Sequence, residues 1–470
     1  MGIKVFSALG LSLGLSLVAC GSTPTSGFPG DDKPDASLGG DDASALPDEG
    51  VPQFGDVNVE AAPPCEGLKC QQVACNNGTT TSVSGTVFDP AGKNPLYNIV
   101  VFVPNAPLDP ITHGPVCDSC GGAPISGKPV VTALTDEKGH FKLENVPVGT
   151  NIPLVMQVGK WRRKITIPNV VQCVDTPISD VSQTRLPKNK SEGDMPLIAL
   201  AAGCDPIHTL VQKIGIDLAE FTPGSGNGMV RVYSGYGNQA GNVPGATDTY
   251  KFWGTLSEMM KYDIIINECE CAPHPRDTMG PAYANMASYL DAGGRVFASH
   301  YQLNFYGSSP ENGGKAAAEL QSAATWTLWS GSSPGGSPYL IDTTFPKGKS
   351  MDDWLWNLKT ASGWGPTIKN TPKGQIQISN VGDIGAAKAG ISQRWIYPQS
   401  GSSVVYLSMN LPTAAAPDKR CGRAVGTDLH VGSGSLTTMS EQEAALEYMF
   451  FDLASCVIDD GKPPVPPTPN

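Results

Sequence analysis

The chain has 470 residues, 40% of them hydrophobic and 16% charged, with a net charge of −12. That length admits two or three folded domains, and the acidic balance argues against a nucleic-acid partner. Most of the charge is local: residues 21–64 hold nine acidic residues and a single lysine, so charge says little about the remainder.

The N-terminus carries Lys4 and then an apolar run over 5–19, the layout of a secretory signal and too short to span a bilayer comfortably. The run ends at Leu17-Val18-Ala19-Cys20, which resembles the bacterial lipobox. The resemblance implies removal of a signal peptide over 1–19, lipidation of Cys20, and a partner in the membrane itself. Gly21 after the cysteine favours the outer membrane by the same resemblance. Residues 20–81 then read as a lipid-anchored linker rich in Gly, Ser, Pro and Asp, with too little apolar surface up to residue 64 to offset the entropy of folding. No later stretch is apolar enough to span a membrane.

Twelve cysteines in an exported chain make disulfides the default, and one thiol is left over once Cys20 is lipidated. Cys117 and Cys120 form a CxxC. No second close cysteine pair lies near it to complete a zinc site, and Gly121 stands where covalent haem needs histidine, so a structural disulfide between them is the expectation.

Residues 82–172 alternate in the manner of short strands, at 82–88, 98–103, 152–158 and 161–167, with Asp-Pro, Gly and Pro turns between them. Gly85-x-Val87-x-Asp89-x-x-Gly92 and Thr135-Asp136-x-x-Gly139-x-Phe141, with Gly149 following, resemble the carboxypeptidase regulatory-like, transthyretin-like family. The resemblance implies a β-sandwich that acts as a spacer or binding module, here with an insertion at 104–128. Residues 173–228 are left as a connecting region.

From 229 to 457 strands alternate with helices, which predicts an α/β domain with a mostly parallel open sheet. The expected strands are 229–233, 262–267, 295–299, 403–407 and 423–427, and the expected helices 279–292 and 441–456. Tyr262-Asp263-Ile264-Ile265-Ile266 and Gly293-Gly294-Arg295-Val296-Phe297-Ala298-Ser299-His300 resemble the class I glutamine amidotransferase-like superfamily and its trehalose-utilisation branch. No cysteine follows the 295–299 strand, where the nucleophile of those amidotransferases sits, so that activity is not expected. Together with the lipobox, the two domains resemble exported bacterial lipoproteins. A proline-rich tail at 458–470 is expected to be disordered.

In an open parallel sheet the ligand site lies beyond the carboxyl ends of the strands. That rule singles out Tyr236, Glu268, Glu270, His300, Asp428 and His430, an imidazole and carboxylate set suited to a metal ion or to a base with its orienting partner. Satisfied structural histidines are the competing account. Gly331-Ser332-Ser333-Pro334-Gly335 fits a nucleophile-elbow pattern, but Pro334 removes the amide that an oxyanion hole needs. Trp326, Trp329, Trp354, Trp356 and Trp364 crowd into an insertion at about 308–400, as sugar-stacking rings or as that insertion's own small core.

Two readings follow. The leading one is a noncatalytic envelope lipoprotein that binds a glycan or an envelope protein through its α/β domain, with no cofactor expected. The other is a metal-assisted hydrolase acting on glycans or peptides, in which His300, His430 and Glu268 or Glu270 hold a divalent metal.

Overall fold

The order of elements is set by where apolar residues run unbroken and where they alternate. In the computed structural model, residues 65–469 are described, apart from 77, 118–119, 121–124, 236–242, 271–279, 309–314, 329–336, 361–370, 379–381, 383, 431–435 and 437–438. Cys20 and the tether, Tyr236, Trp329, Ser333 and Trp364 therefore lie outside the described residues. The fold is mixed α and β, dominated by several sheets. Pro64–Asn470 forms one compact unit.

The N-terminal third builds two small sheets. Strands β1 (Ser82–Thr86), β4 (His140–Glu144) and β7 (Asp175–Ile178) form the first, in the order β4-β1-β7. Strands β2 (Val100–Pro104), β3 (Pro129–Leu134), β5 (Gly149–Val158) and β6 (Trp161–Val170) form the second, in the order β3-β2-β5-β6. Alternation in β4, exposed and buried by turns, gives it one wet face and one dry one. Buried Val83, Leu143, Val101 and Leu154 bring both sheets into one hydrophobic cluster, which continues into the rest of the chain through Leu200, Ile266 and Leu446.

A ten-stranded sheet carries the remainder. Its parallel part has the order β19-β12-β11-β8-β10-β9: β8 (Ile198–Ala202), β9 (Phe221–Pro223), β10 (Val230–Ser234), β11 (Ile264–Asn267), β12 (Arg295–Ser299) and β19 (Gly422–Thr427). β8, β11, β12 and β19 are buried along their whole length, as strands covered on both faces must be. Helices α1 (Ile207–Lys213), α2 (Ala282–Asp291), α3 (Pro346–Thr360) and α4 (Glu441–Ala454) flank the sheets. Ser440 starts α4 with a capping box to Glu443.

Several expectations need correction. Residues 173–228 are not a mere connection: β7 completes the first small sheet, and β8 lies at the centre of the large one. The Trp-rich stretch is not a self-contained insertion. Its strands β14 (Tyr339–Ile341), β15 (Gln375–Ile376) and β17 (Ser392–Tyr397), with β18 (Tyr406–Leu411), extend the large sheet antiparallel, while β13 (Ala324–Trp326) and β16 (Ile384–Ala387) pair as a separate ribbon. The C-terminal tail is docked: Asp460 is buried, and the Pro467 carbonyl accepts a hydrogen bond from Thr132 Oγ1 at 2.5 Å.

Cys117 and Cys120 do not pair with each other. Cys117 bonds Cys421 and Cys120 bonds Cys456, beside Cys65–Cys70 and Cys75–Cys173. The reason is that His113 and Gly114, just ahead of the CxxC, dock at the amino ends of the parallel strands. Buried Asp263 receives His113 Nδ1 at 2.7 Å, the Gly114 amide at 2.7 Å and Lys160 Nζ at 2.5 Å, so the CxxC is delivered to the start of β19 and the end of α4. Disulfides on this scale belong to an oxidising compartment, so the location is extracytoplasmic. Among the described residues no helix is long and apolar enough to cross a membrane.

Candidate metal centre

The carboxyl ends of four neighbouring parallel strands set the site. β11 pairs Asn267 with Ala201 of β8 and with Ala298 of β12, and β12 pairs Ser299 with Thr427 of β19. Continued by two steps from Asn267 and one from Ser299, that register places Gly203, Cys269, His300 and Asp428 abreast. Gly203 is required there, because a Cβ would lie 2.2 Å from the Cys269 carbonyl oxygen.

Cys269, His300 and His430 offer donor atoms that all lie within 4.8 Å of one another. Cys269 Sγ is 3.0 Å from His300 Nδ1, and the two imidazole rings are 5.0 Å apart between centroids. Cys269 is buried and is a thiol, whereas Cys204, whose amide donates to the Cys269 carbonyl at 2.8 Å, is disulfide-bonded. The Ser299 hydroxyl accepts from the Cys269 amide at 2.9 Å, which fixes the thiol's backbone to the neighbouring strand.

His300 sits at φ 43°, in the left-handed region that costs a non-glycine residue about 1–2 kcal/mol. That strained turn aims the ring at Cys269 instead of continuing the strand. Burial, and then the neighbouring His430, push His300 down to about 3, so it is a neutral imidazole at neutral pH. Neutral imidazole is the form that binds metal. His430 is part-exposed, and its Nδ1 lies 3.5 Å from Oδ2 of buried Asp205. A carboxylate at Nδ1 leaves Nε2 as the nitrogen available to a metal.

A tetrahedral zinc ion with bonds of about 2.0–2.3 Å holds its ligand atoms about 3.5 Å apart, so the widest pair of donors must close by about an ångström and Cys269 Sγ and His300 Nδ1 must part by about half of one. One thiolate and two imidazoles suit a borderline cation such as zinc and leave a fourth position open for water or substrate.

The strand-end residues separate into distinct roles. His300 and His430 converge. Glu268 does not join them: it is fully buried, and its carboxylate accepts from the Gly203 amide at 2.9 Å and the His208 amide at 2.6 Å, with His208 Nδ1 at 3.2 Å. Burial works to lower the His208 pKa, but the Glu268 carboxylate outweighs it and raises it. Glu270 and Asp428 are buried in the same layer. Sequence reading passed over Cys269, Asp205 and His208. Cys269 stands between Glu268 and Glu270 just after β11, so the strand-end rule that found its neighbours applies to it as well.

Among the described residues the tryptophans of this stretch are not gathered on one exposed surface. Trp354 is 1% exposed, and its Nε1 donates to the Pro95 carbonyl at 2.6 Å, because α3 packs against the N-terminal sheets. Trp326 is half-buried beside Tyr306 and spends its N–H on the Gln321 carbonyl. Among the described residues Trp356 is the exposed tryptophan of this stretch, at 36%, and Trp395 of β17 is fully buried.

No known protein family and no curated protein matches the chain. Among solved structures it is similar to a type II cohesin–X-dockerin complex from Acetivibrio cellulolyticus, with 14% identity over 32% of this chain and 88% of the other at a TM-score of 0.17. It is also similar to a 9R-lipoxygenase from Cyanothece, with 17% identity over 23% of this chain and 18% of the other at a TM-score of 0.13. Superpositions of that quality carry no functional argument. Fold and site together define a disulfide-stapled extracytoplasmic protein, rich in β-structure, with a Cys-His-His cluster at the carboxyl edge of a parallel sheet.

Proposed function

We propose that this protein is a cell-envelope lipoprotein, held in the outer membrane through Cys20, that binds a divalent transition-metal ion through Cys269, His300 and His430 and uses it in metal-assisted hydrolysis of glycans or peptides. One observation carries the reading: three donors from three different strand ends converge within 4.8 Å, one of them on a strained backbone. The N-terminal sheets, as a carboxypeptidase regulatory-like sandwich, serve as a spacer, and the amidotransferase-like layer supplies the strand ends. In that fourth position a water molecule would be acidified toward a pKa of about 7 and become the nucleophile.

Noncatalytic binding of a glycan or envelope protein at the same edge is the second reading. It is favoured by the engagement of Glu268, the carboxylate best placed in sequence to act as a base, with two backbone amides and His208.

Zinc titration of the purified chain, followed by calorimetry, tests the proposal. One zinc per chain is expected, with affinity lost in His430→Ala, and a glycan and peptide hydrolysis panel should show zinc-dependent turnover. Zinc binding without turnover on any member selects the second reading. Failure to bind zinc removes the metal centre.

A further inference from the structure

The loop after β1 meets α4 at a buried pair of carboxyl groups. Asp89 is fully buried in the turn 89–94, where Oδ1 accepts from the amides of Lys93 at 2.7 Å and Asn94 at 3.2 Å. Glu447, fully buried on α4, takes the Asn94 side-chain amide on Oε2 at 2.6 Å. Asn94 joins the two carboxyl groups, its backbone amide on Asp89 and its side-chain amide on Glu447, while Asp89 Oδ2 and Glu447 Oε1 have no hydrogen-bond partner among the described residues. The same turn is pinned to the end of α1, since the Ala91 amide donates to the Ile214 carbonyl at 2.8 Å.

The cations near this junction are committed elsewhere. Lys213 of α1 pairs with Glu443, one turn before Glu447 on α4, at 2.5 Å. Arg185, whose backbone bridges Phe88, pairs with Glu192 at 2.6 Å. Lys93 contributes its amide, not its ammonium, to Asp89. Among the described residues, no ion pair reaches Asp89 or Glu447. Two carboxylates buried on either side of one asparagine, without a cation, cannot both ionise at ordinary cost.

We propose that Asp89 and Glu447 share one proton across the junction between the N-terminal sheets and the large sheet, so that this junction is a proton-dependent fastening which loosens as pH rises. Burial holds Asp89 up at about 7, and burial with the Asp89 charge holds Glu447 well above the usual carboxylate range. The pair titrates as a unit. The native chain keeps a proton that the unfolded chain has lost above about pH 4. The resulting stability is therefore complete below about pH 4 and falls as pH rises through the native pKa values of the pair, of which that of Asp89 is about 7.

The test is chemical denaturation of the full, disulfide-intact chain at a series of pH values, with Glu447→Gln and Asp89→Asn beside the wild type. The wild-type folding constant should fall about tenfold per pH unit, relative to either variant, over the window between the two pKa values. Identical slopes in wild type and folded variants overturn the proposal. Should both variants fail to fold, infrared spectroscopy of the wild type decides: a buried protonated carboxyl band present near pH 6 that weakens as pH rises through about 7 supports it, and the absence of that band at pH 6 overturns it.

Discussion

The two ends of β19 hold polar clusters of opposite kinds. At its amino end, fully buried Arg423 reaches Asp452 at 2.7 Å and Asp460 at 3.1 Å, and Lys347 reaches the same two aspartates at 2.8 and 3.6 Å. Two cations meet two anions there, and they tie β19, α3, α4 and the C-terminal tail together. Beyond the carboxyl end lie His430, His300 and Cys269, two imidazoles and a thiol, one of them on a strained turn. Charge balance with every segment tied is what stability requires. An unsaturated donor set on strained backbone costs stability, and such costs persist where chemistry benefits.

Substitutions can break that contrast at either end. Arg423→Ala should have the largest effect, because it leaves two buried aspartates against one lysine: a loss of about 3–5 kcal/mol in urea unfolding, with zinc binding by the folded protein unchanged. Asp205→Asn should act only at the other end, weakening zinc affinity about 10–100-fold while the unfolding midpoint stays put. A midpoint shift as large as that of Arg423→Ala would make Asp205 a structural residue. His300→Gly should shift stability in the opposite direction and by less than Arg423→Ala, a gain of up to about 1 kcal/mol from relief of the left-handed strain, together with loss of zinc.

The contrast also explains which features were legible in sequence. Strand 295–299 was placed residue for residue, because a buried parallel strand is a continuous apolar run flanked by a glycine cap and a polar strand end. β8 was missed although it is central: Ile-Ala-Leu-Ala-Ala is built of alanines, poor strand formers that suit a layer packed closely on both sides. The strand expected at 403–407 begins three residues later, since Val404 makes an isolated bridge to Ile384 before the ladder starts. His300 and His430 were found by the strand-end rule. Cys269 was hidden by the disulfide default of an exported chain, and the true partners of Cys117 and Cys120 lie 304 and 336 residues away, beyond any local spacing argument. Trp354 was misread because aromatic clustering in sequence does not say which side of a helix meets a neighbouring sheet.

The most direct test of the central claim is the absorption spectrum of the purified chain loaded with cobalt(II) in place of zinc. A tetrahedral site with one thiolate should show ligand-field bands and a sulfur-to-cobalt charge-transfer band that saturate at one equivalent, with the charge-transfer band lost in Cys269→Ser. A wild-type spectrum no different from aqueous cobalt, or one unchanged by Cys269→Ser, would contradict the account.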